Sequence, residues 1–299
     1  MATQLSTLNL TLSWLSGYDL PFRELVSTWI TIMLTVALLC FAVSEITRNY
    51  SQVDKLWSLL PAIYSWTAVA SFPSARTYAM ASLVTLWGLR LSFNFYRKGG
   101  YSIIPWRGDE DYRWKILRET SALRGRFRFG AFNLLFISLY QNMIILLFST
   151  PILMASLYTD TPMGLIDIIA AILILSFLIT ETVADNQQFG FQTLKRKARR
   201  GDADCEGSLR KGFLTEGLWK YVRHPNFASE QAIWISFYLF SVAASGKWIN
   251  FTLLGPVLLV MLFIGSSIMT ENISSSKYPA YSAYQKEVPK FIPRIFRRK

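Results

Sequence analysis

Seven apolar stretches of roughly 20 residues divide this chain, and that is the length an α-helix needs to cross the hydrocarbon core of a bilayer. They fall at Leu25–Val43, Leu56–Phe72, Tyr78–Tyr96, Phe132–Ser156, Met163–Ala184, Phe227–Ala244 and Trp248–Met269. Backbone in hydrocarbon finds no water, so such runs must satisfy their amides and carbonyls within helices. Composition agrees: charged residues make up 17% of the 299 and hydrophobic ones 52%, against about 25% charged in soluble domains. The expected fold is all-α: a polytopic membrane protein of about seven transmembrane helices. Residues 1–24 form an extracytoplasmic segment and residues 25–299 a single transmembrane domain. The first run starts too far from the N-terminus, and lacks the basic start, for a cleaved signal peptide. Ser71-Phe-Pro-Ser74 and Ser245-Gly246 supply the turn chemistry for two tight hairpins.

Charge sets the orientation. Loops Arg48–Lys55, Arg97–Arg128 and Lys195–Arg223, with the tail after Met269, hold 27 of the 31 Lys and Arg. The opposite loops hold Arg23, Arg76 and Lys247. Cationic loops stay cytosolic, which places the C-terminus in the cytosol and the N-terminus outside. The net charge of +12 then reflects topology and attraction to anionic membrane lipids, and no nucleic-acid partner is expected. Two sequons, Asn9-Leu-Thr11 and Asn250-Phe-Thr252, and the basic tail Phe296-Arg-Arg-Lys299 point to the endoplasmic reticulum.

Two cysteines, Cys40 and Cys205, form no disulfide or metal pattern, and a single histidine rules out a multi-histidine metal centre. No metal site is expected, and carboxylates alone are the one metal-ligand set the composition leaves. The turns GxGxxG, GxxxxGK and GxSxG are absent, so any nucleotide is held by helices and loops rather than by a Rossmann unit.

Polar groups gather at three helix ends. The richest stretch is LWKYVRHPNFASE, Leu218 to Glu230, which carries the sole histidine into an apolar run. Ionisable groups at membrane depth are rare and usually face a cavity or each other. Pro225 suits a first helical position, and Asn226 and Glu230 lie one turn apart on one face. Tyr221, Arg223 and His224 precede them, and a helix N-terminus beside Arg and His favours an anionic ligand. At the end of the fifth run, Glu181, Asp185 and Gln188 share a face ahead of the basic run Lys195–Arg200. Inward carboxylates beside cations suit a ribose and its phosphates; a helix end solvated among headgroups is the simpler reading. The last run leads into Glu271, Tyr278, Tyr281 and Tyr284, where the tyrosines read as interface anchors or as a cover over a pocket. Asp54 opens the second run, and Arg90, deep in the third, needs a carboxylate such as Asp54. Gln141 and Asn142 read as interhelical hydrogen bonds.

ADNQQF at Ala184–Phe189, GLWKYVRHPNF with Glu230, and MTE followed by KYPAYSAYQKEVPKFIP resemble the steroid 5α-reductase-like membrane reductases, in their branch of bacteria and fungi. VDKLWSLLP and LWGLRLS fit the same branch, so the resemblance runs from about Gln52 to Pro293. It implies seven helices, NADPH entering from the cytosolic side, and reduction of a carbon–carbon double bond conjugated to a carbonyl in a lipophilic substrate. It implies a cofactor half at about 163–293, with Asp185, Asn226 and Glu230 at the cofactor, Tyr221, Arg223 and His224 nearby, and Glu271 and Tyr278 from the last helix and tail. Asp54, Glu230 and Tyr278 are then the catalytic candidates, Asp54 replacing the family's second-helix carboxylate. Where the family has a third-helix tyrosine this sequence offers Trp87, and Ser229 stands for the usual glycine. The Arg-His-Pro turn, the later glutamate and the Tyr-x-x-Tyr tail are also similar to isoprenylcysteine and phospholipid methyltransferases, which bind S-adenosylmethionine. A non-catalytic lipid-binding protein is the third alternative.

Overall fold

The computed structural model describes residues 16–104, 106–201 and 206–294. Most of the N-terminal segment with the Asn9 sequon, Cys205 and the basic tail lie outside them. Every regular element among the described residues is helical. Four helices are long and apolar enough to cross a membrane: Leu20–Thr47, Arg126–Ser156, Leu165–Ala198 and Phe251–Lys277. The protein is therefore an integral membrane protein. The remaining expected spans also coincide with helices. Leu60–Ser71, at 12 residues, reaches only about 18 Å. Ala75–Arg97 and Pro225–Ser245 have the length, but they carry more polar residues.

The chain divides into two compact units, Met1–Asp167 with Leu239–Gly255, and Ile168–Tyr238 with Pro256–Lys299. In the first unit α1 (Leu20–Thr47) starts with Pro21 in its first turn, where no amide bond is lost. It stops at Arg48, a left-handed residue (φ 58°) whose N–H closes on Ser44 O at 2.9 Å. After α2 (Gln52–Leu56), α3 (Leu60–Ser71) and α4 (Ala75–Arg97) form the expected hairpin. Ser74 fixes its turn by a capping box: its Oγ accepts from Thr77 N, and its N–H donates to Thr77 Oγ1 at 2.9 Å. Gly88 lets α4 approach closely, since a Cβ there would meet Ser58 O at 2.5 Å. α5 (Tyr112–Glu119) is capped by Asp111. α6 (Arg126–Ser156) carries a π-helical stretch over Asn133–Tyr140 and packs against α1 and α3. Trp29, Tyr64, Met80, Trp87, Ile137, Ile144 and Phe148 fill this core. Asn133 Nδ2 links α6 to α1 through Glu45 Oε1 at 3.0 Å, and Asn142, which donates to Ser138 O of its own helix, also meets the Cys40 thiol of α1 in a side-chain hydrogen bond.

Arg76 and Lys247 were expected as sparse outer-side cations. Arg76 is 2% exposed and grips fully buried Asp167 with a two-pronged bond, Nε to Oδ1 at 2.8 Å and Nη2 to Oδ2 at 3.0 Å. Two further donors reach Thr161 O and Pro162 O, and Gly164 N donates to Asp167 Oδ2. The sequon at Asn250 also serves the fold. Asn250 Oδ1 accepts from Thr252 N and Oγ1, its amide donates to Ser241 Oγ at 3.2 Å, and Thr252 is wholly buried. It is a helix cap, so it lends no support to an exposed glycosylation site.

In the second unit lie α7 (Leu165–Ala198, mostly), the short α8 (Gly207–Lys211), the start of α9 (Pro225–Ser245), most of α10 (Leu254–Lys277) and α11 (Tyr281–Glu287). Breaking a buried pair from one side costs about 3–5 kcal/mol, because the other charge is left uncompensated. Arg76→Ala should therefore lower the unfolding temperature in detergent sharply, and Arg76→Met with Asp167→Leu should recover most of the loss. An unchanged melting curve for Arg76→Ala would contradict the clamp.

Candidate functional site

A 34-residue helix is about 51 Å long, roughly 20 Å more than the hydrocarbon core. The polar end of α7, from Glu181 onward, takes up that excess. Glu181 and Asp185 are 4% and 3% exposed, so they are turned inward rather than solvated among headgroups. Asn226 on α9 donates from Nδ2 to Asp185 Oδ1 at 3.4 Å, bringing the two sequence-predicted helix ends together. Glu230, one turn along α9, is also buried and accepts from Trp234 Nε1 at 3.0 Å.

Two acceptor atoms beside Asp185 have no hydrogen-bond partner among the described residues: Asn226 Oδ1 and Gln188 Oε1, both shut off from solvent. Buried polar atoms are nearly always paired, and an orphaned one asks for a missing ligand or water. Acceptors grouped around a carboxylate call for a ligand that donates, such as a sugar diol or a carboxamide. Among the described residues no three His, Cys, Asp or Glu side chains gather where they could hold an ion.

The turn before α9 is built around Glu271. Arg223 donates from Nε to Glu271 Oε1 at 2.7 Å and from Nη2 to Oε2 at 3.3 Å. His224 Nε2 lies 2.9 Å from Oε1, and it must carry the ring proton, since a carboxylate only accepts. Gln285 Nε2 donates to Oε2 at 3.1 Å, and Lys290 Nζ stands 3.7 Å away. Arg223 Nη1 reaches the Gln285 and Val288 carbonyls. Arg223 N and His224 N donate to Pro289 O and Lys290 O at 2.9 and 3.1 Å, so the tail lies paired with this turn. The His224 ring stacks on Phe227.

Tyr278 accepts a hydrogen bond from Lys195 Nζ at 2.8 Å, and the ammonium also bonds Gly212 O. Burial works to raise the phenol's pKa, but that bond and the charges of Lys195 and Lys277 outweigh it, so Tyr278 titrates below its ordinary value. Tyr281 and Tyr284 are not surface anchors: they are 5% and 8% exposed and pack on Phe213, with Tyr284 Oη bonded to Trp219 O at 2.5 Å. Tyr221 is exposed. Gln187, whose Oε1 accepts from Leu218 N at 2.9 Å, and Gln285 were missed; only their polarity marked them in the sequence.

Asp54 belongs to the first unit. Trp114 Nε1 donates to its Oδ2 at 3.2 Å, beside the Asp111–Arg113 pair at 2.7 Å. Burial and the neighbouring Asp111 charge push the Asp54 carboxyl above its ordinary value, against the pull of Arg113. Trp87 is buried in the same unit.

No solved structure matches this chain. An uncharacterised protein of Schizosaccharomyces pombe is 37% identical over 268 residues, covering 85% of this chain and 76% of that protein. A family model described as protein of unknown function, DUF1295, matches residues 40–288, nearly the whole of what is built above, and the chain belongs to that family.

Proposed function

We propose that this protein is an integral membrane reductase of the steroid 5α-reductase-like class. It would use NADPH to reduce a carbon–carbon double bond conjugated to a carbonyl in a lipophilic substrate, with seven spans and a cytosolic C-terminus. The observation that supports this best is the acceptor cluster of Asp185, Gln188 and Asn226, with two orphaned oxygens. A dinucleotide fits it, because its ribose hydroxyls and carboxamide amino group are the donors those oxygens lack. Asp185, Gln188 and Asn226 would hold such a group, with Glu230 and the start of α9 beside them. Tyr221 and the exposed cations Arg196, Lys197, Arg199 and Arg200 stand on the same unit as candidates for its phosphates. When bound, the nicotinamide supplies hydride chemistry.

The chain's own residues would then exclude water and stabilise charge developing on the substrate's carbonyl oxygen. Asp54 suits that role in one respect: burial pushes its carboxyl above its ordinary value, toward the form that can donate a hydrogen bond. Tyr278, with its phenol held by Lys195, is a second proton-carrying group. S-adenosylmethionine also carries a ribose diol, so the methyltransferase reading is the competitor the test must separate. The endoplasmic reticulum is proposed as the membrane.

Thermal unfolding of detergent-purified protein with NADPH, NADH and S-adenosylmethionine tests the reading, since a ligand that binds the folded state raises its melting temperature. NADPH should stabilise, and S-adenosylmethionine should not; the reverse pattern sinks the reductase. Asn226→Ala should weaken NADPH binding about fivefold to tenfold, the weight of one hydrogen bond, with the protein still folded.

The raised Asp54 pKa gives a pH signature. A group whose folded-state pKa lies above its unfolded value contributes stability that is full below the unfolded value and lost as pH rises through the folded one. Asp54→Asn keeps an acceptor for Trp114 and removes that loss. It should melt higher than wild type at neutral pH, with the gap closing as the pH falls toward about 4. Parallel melting curves across that range would count against a raised Asp54.

A further inference from the structure

We propose that Arg223 and Glu271 are positioning residues rather than ligand contacts: together they strap the C-terminal tail to the turn before α9 and so set the placement of Asn226. This rests on the reading above only for the identity of the ligand.

A guanidinium has five donor hydrogens. Four of Arg223's are directed at protein acceptors: Nε and one on Nη2 at Glu271, and both on Nη1 at the Gln285 and Val288 carbonyls. Glu271 is equally filled, with Arg223 twice, His224 and Gln285 on its two oxygens and Lys290 close by. Both side chains are nearly buried, at 10% and 6% exposure. Little is left on either for a phosphate or a sugar.

What they do hold is backbone. The amides of Arg223 and His224 pair with the Pro289 and Lys290 carbonyls. His224 O accepts the first helical bond of α9, from Ala228 N at 3.0 Å. Pro225 follows with a fixed φ, and Asn226 is next, so the strap sits three residues from the amide that meets Asp185. Phe213, Tyr281 and Tyr284, with the Tyr284 bond to Trp219 O, pin the tail on its other side. A displacement of the turn moves Asn226 relative to α7 without any contact between Arg223 and ligand.

Hydrogen exchange and nucleotide affinity of Arg223→Gln and Glu271→Gln test this together. If Arg223→Gln does not fold, Arg223→Lys, which keeps the charge but not the fork, takes its place. Each variant should speed exchange over residues 222–228 and 286–290 alike. Each should also weaken NADPH and NADH by the same factor, about tenfold or more, and the double variant should be no worse than either single one. Unchanged exchange in those two segments overturns the strap. So does a loss confined to NADPH, which would put Arg223 on the extra phosphate, or independent losses that multiply in the double variant. A purely structural pair would lower the melting temperature and leave the affinities of the folded protein as they were. Wild-type protein with no affinity for either nucleotide would sink the reductase reading instead, and the exchange result would then decide the strap alone.

Discussion

Glu271 accepts from Arg223, His224 and Gln285 at the end of an apolar helix, and the order of the second unit depends on that gathering. A carboxylate in such surroundings is costly unless every lone pair is met. Meeting them fixes the turn at Arg223–His224 and brings the tail back along it. The start of α9 is thereby set, and with it the meeting of Asn226 and Asp185. The same rule works in the first unit, where Arg76 and Asp167 satisfy each other and the loop carbonyls around them. In both places a charge drawn from water is answered from a distant part of the chain.

That arrangement separates two kinds of polar residue that look alike in sequence. Arg223 and Glu271 have their bonding capacity met inside the protein. Asn226 and Gln188 each keep a buried oxygen without a partner among the described residues. A donor-rich ligand at the end of α7 is the simplest completion of the second set. The family, defined by sequence without an assigned activity, leaves the chemistry to be argued from these atoms.

The helices were legible because hydrophobic runs of bilayer length have few other ways to satisfy their backbone. Helical spacing and the rarity of such residues beside apolar runs made two faces legible, Asp185 with Gln188 and Asn226 with Glu230; that Asp185 and Asn226 belong together came from the family resemblance, and the structure pairs those two. Pairings across long separations were not legible. Arg76 and Asp167 are 91 positions apart, and Arg223 and Glu271 are 48 apart; no periodicity links them. Arg76 was counted only as a loop cation and Asn250 only as part of a sequon, because composition records a residue's type and not its neighbours. Tyr281 and Tyr284 were open between anchor and cover for the same reason; the structure packs both on Phe213, away from the surface an anchor needs.

The central claim is that the orphaned acceptors on α7 and α9 receive a nicotinamide dinucleotide. A cryo-electron microscopy structure of the protein in lipid nanodiscs with saturating NADPH tests it most directly. The account predicts nucleotide density against Asp185, Gln188 and Asn226, with Arg223 still bonded to Glu271. Density for the nucleotide elsewhere, or an empty cluster whose two oxygens are bonded only to ordered water, would contradict it.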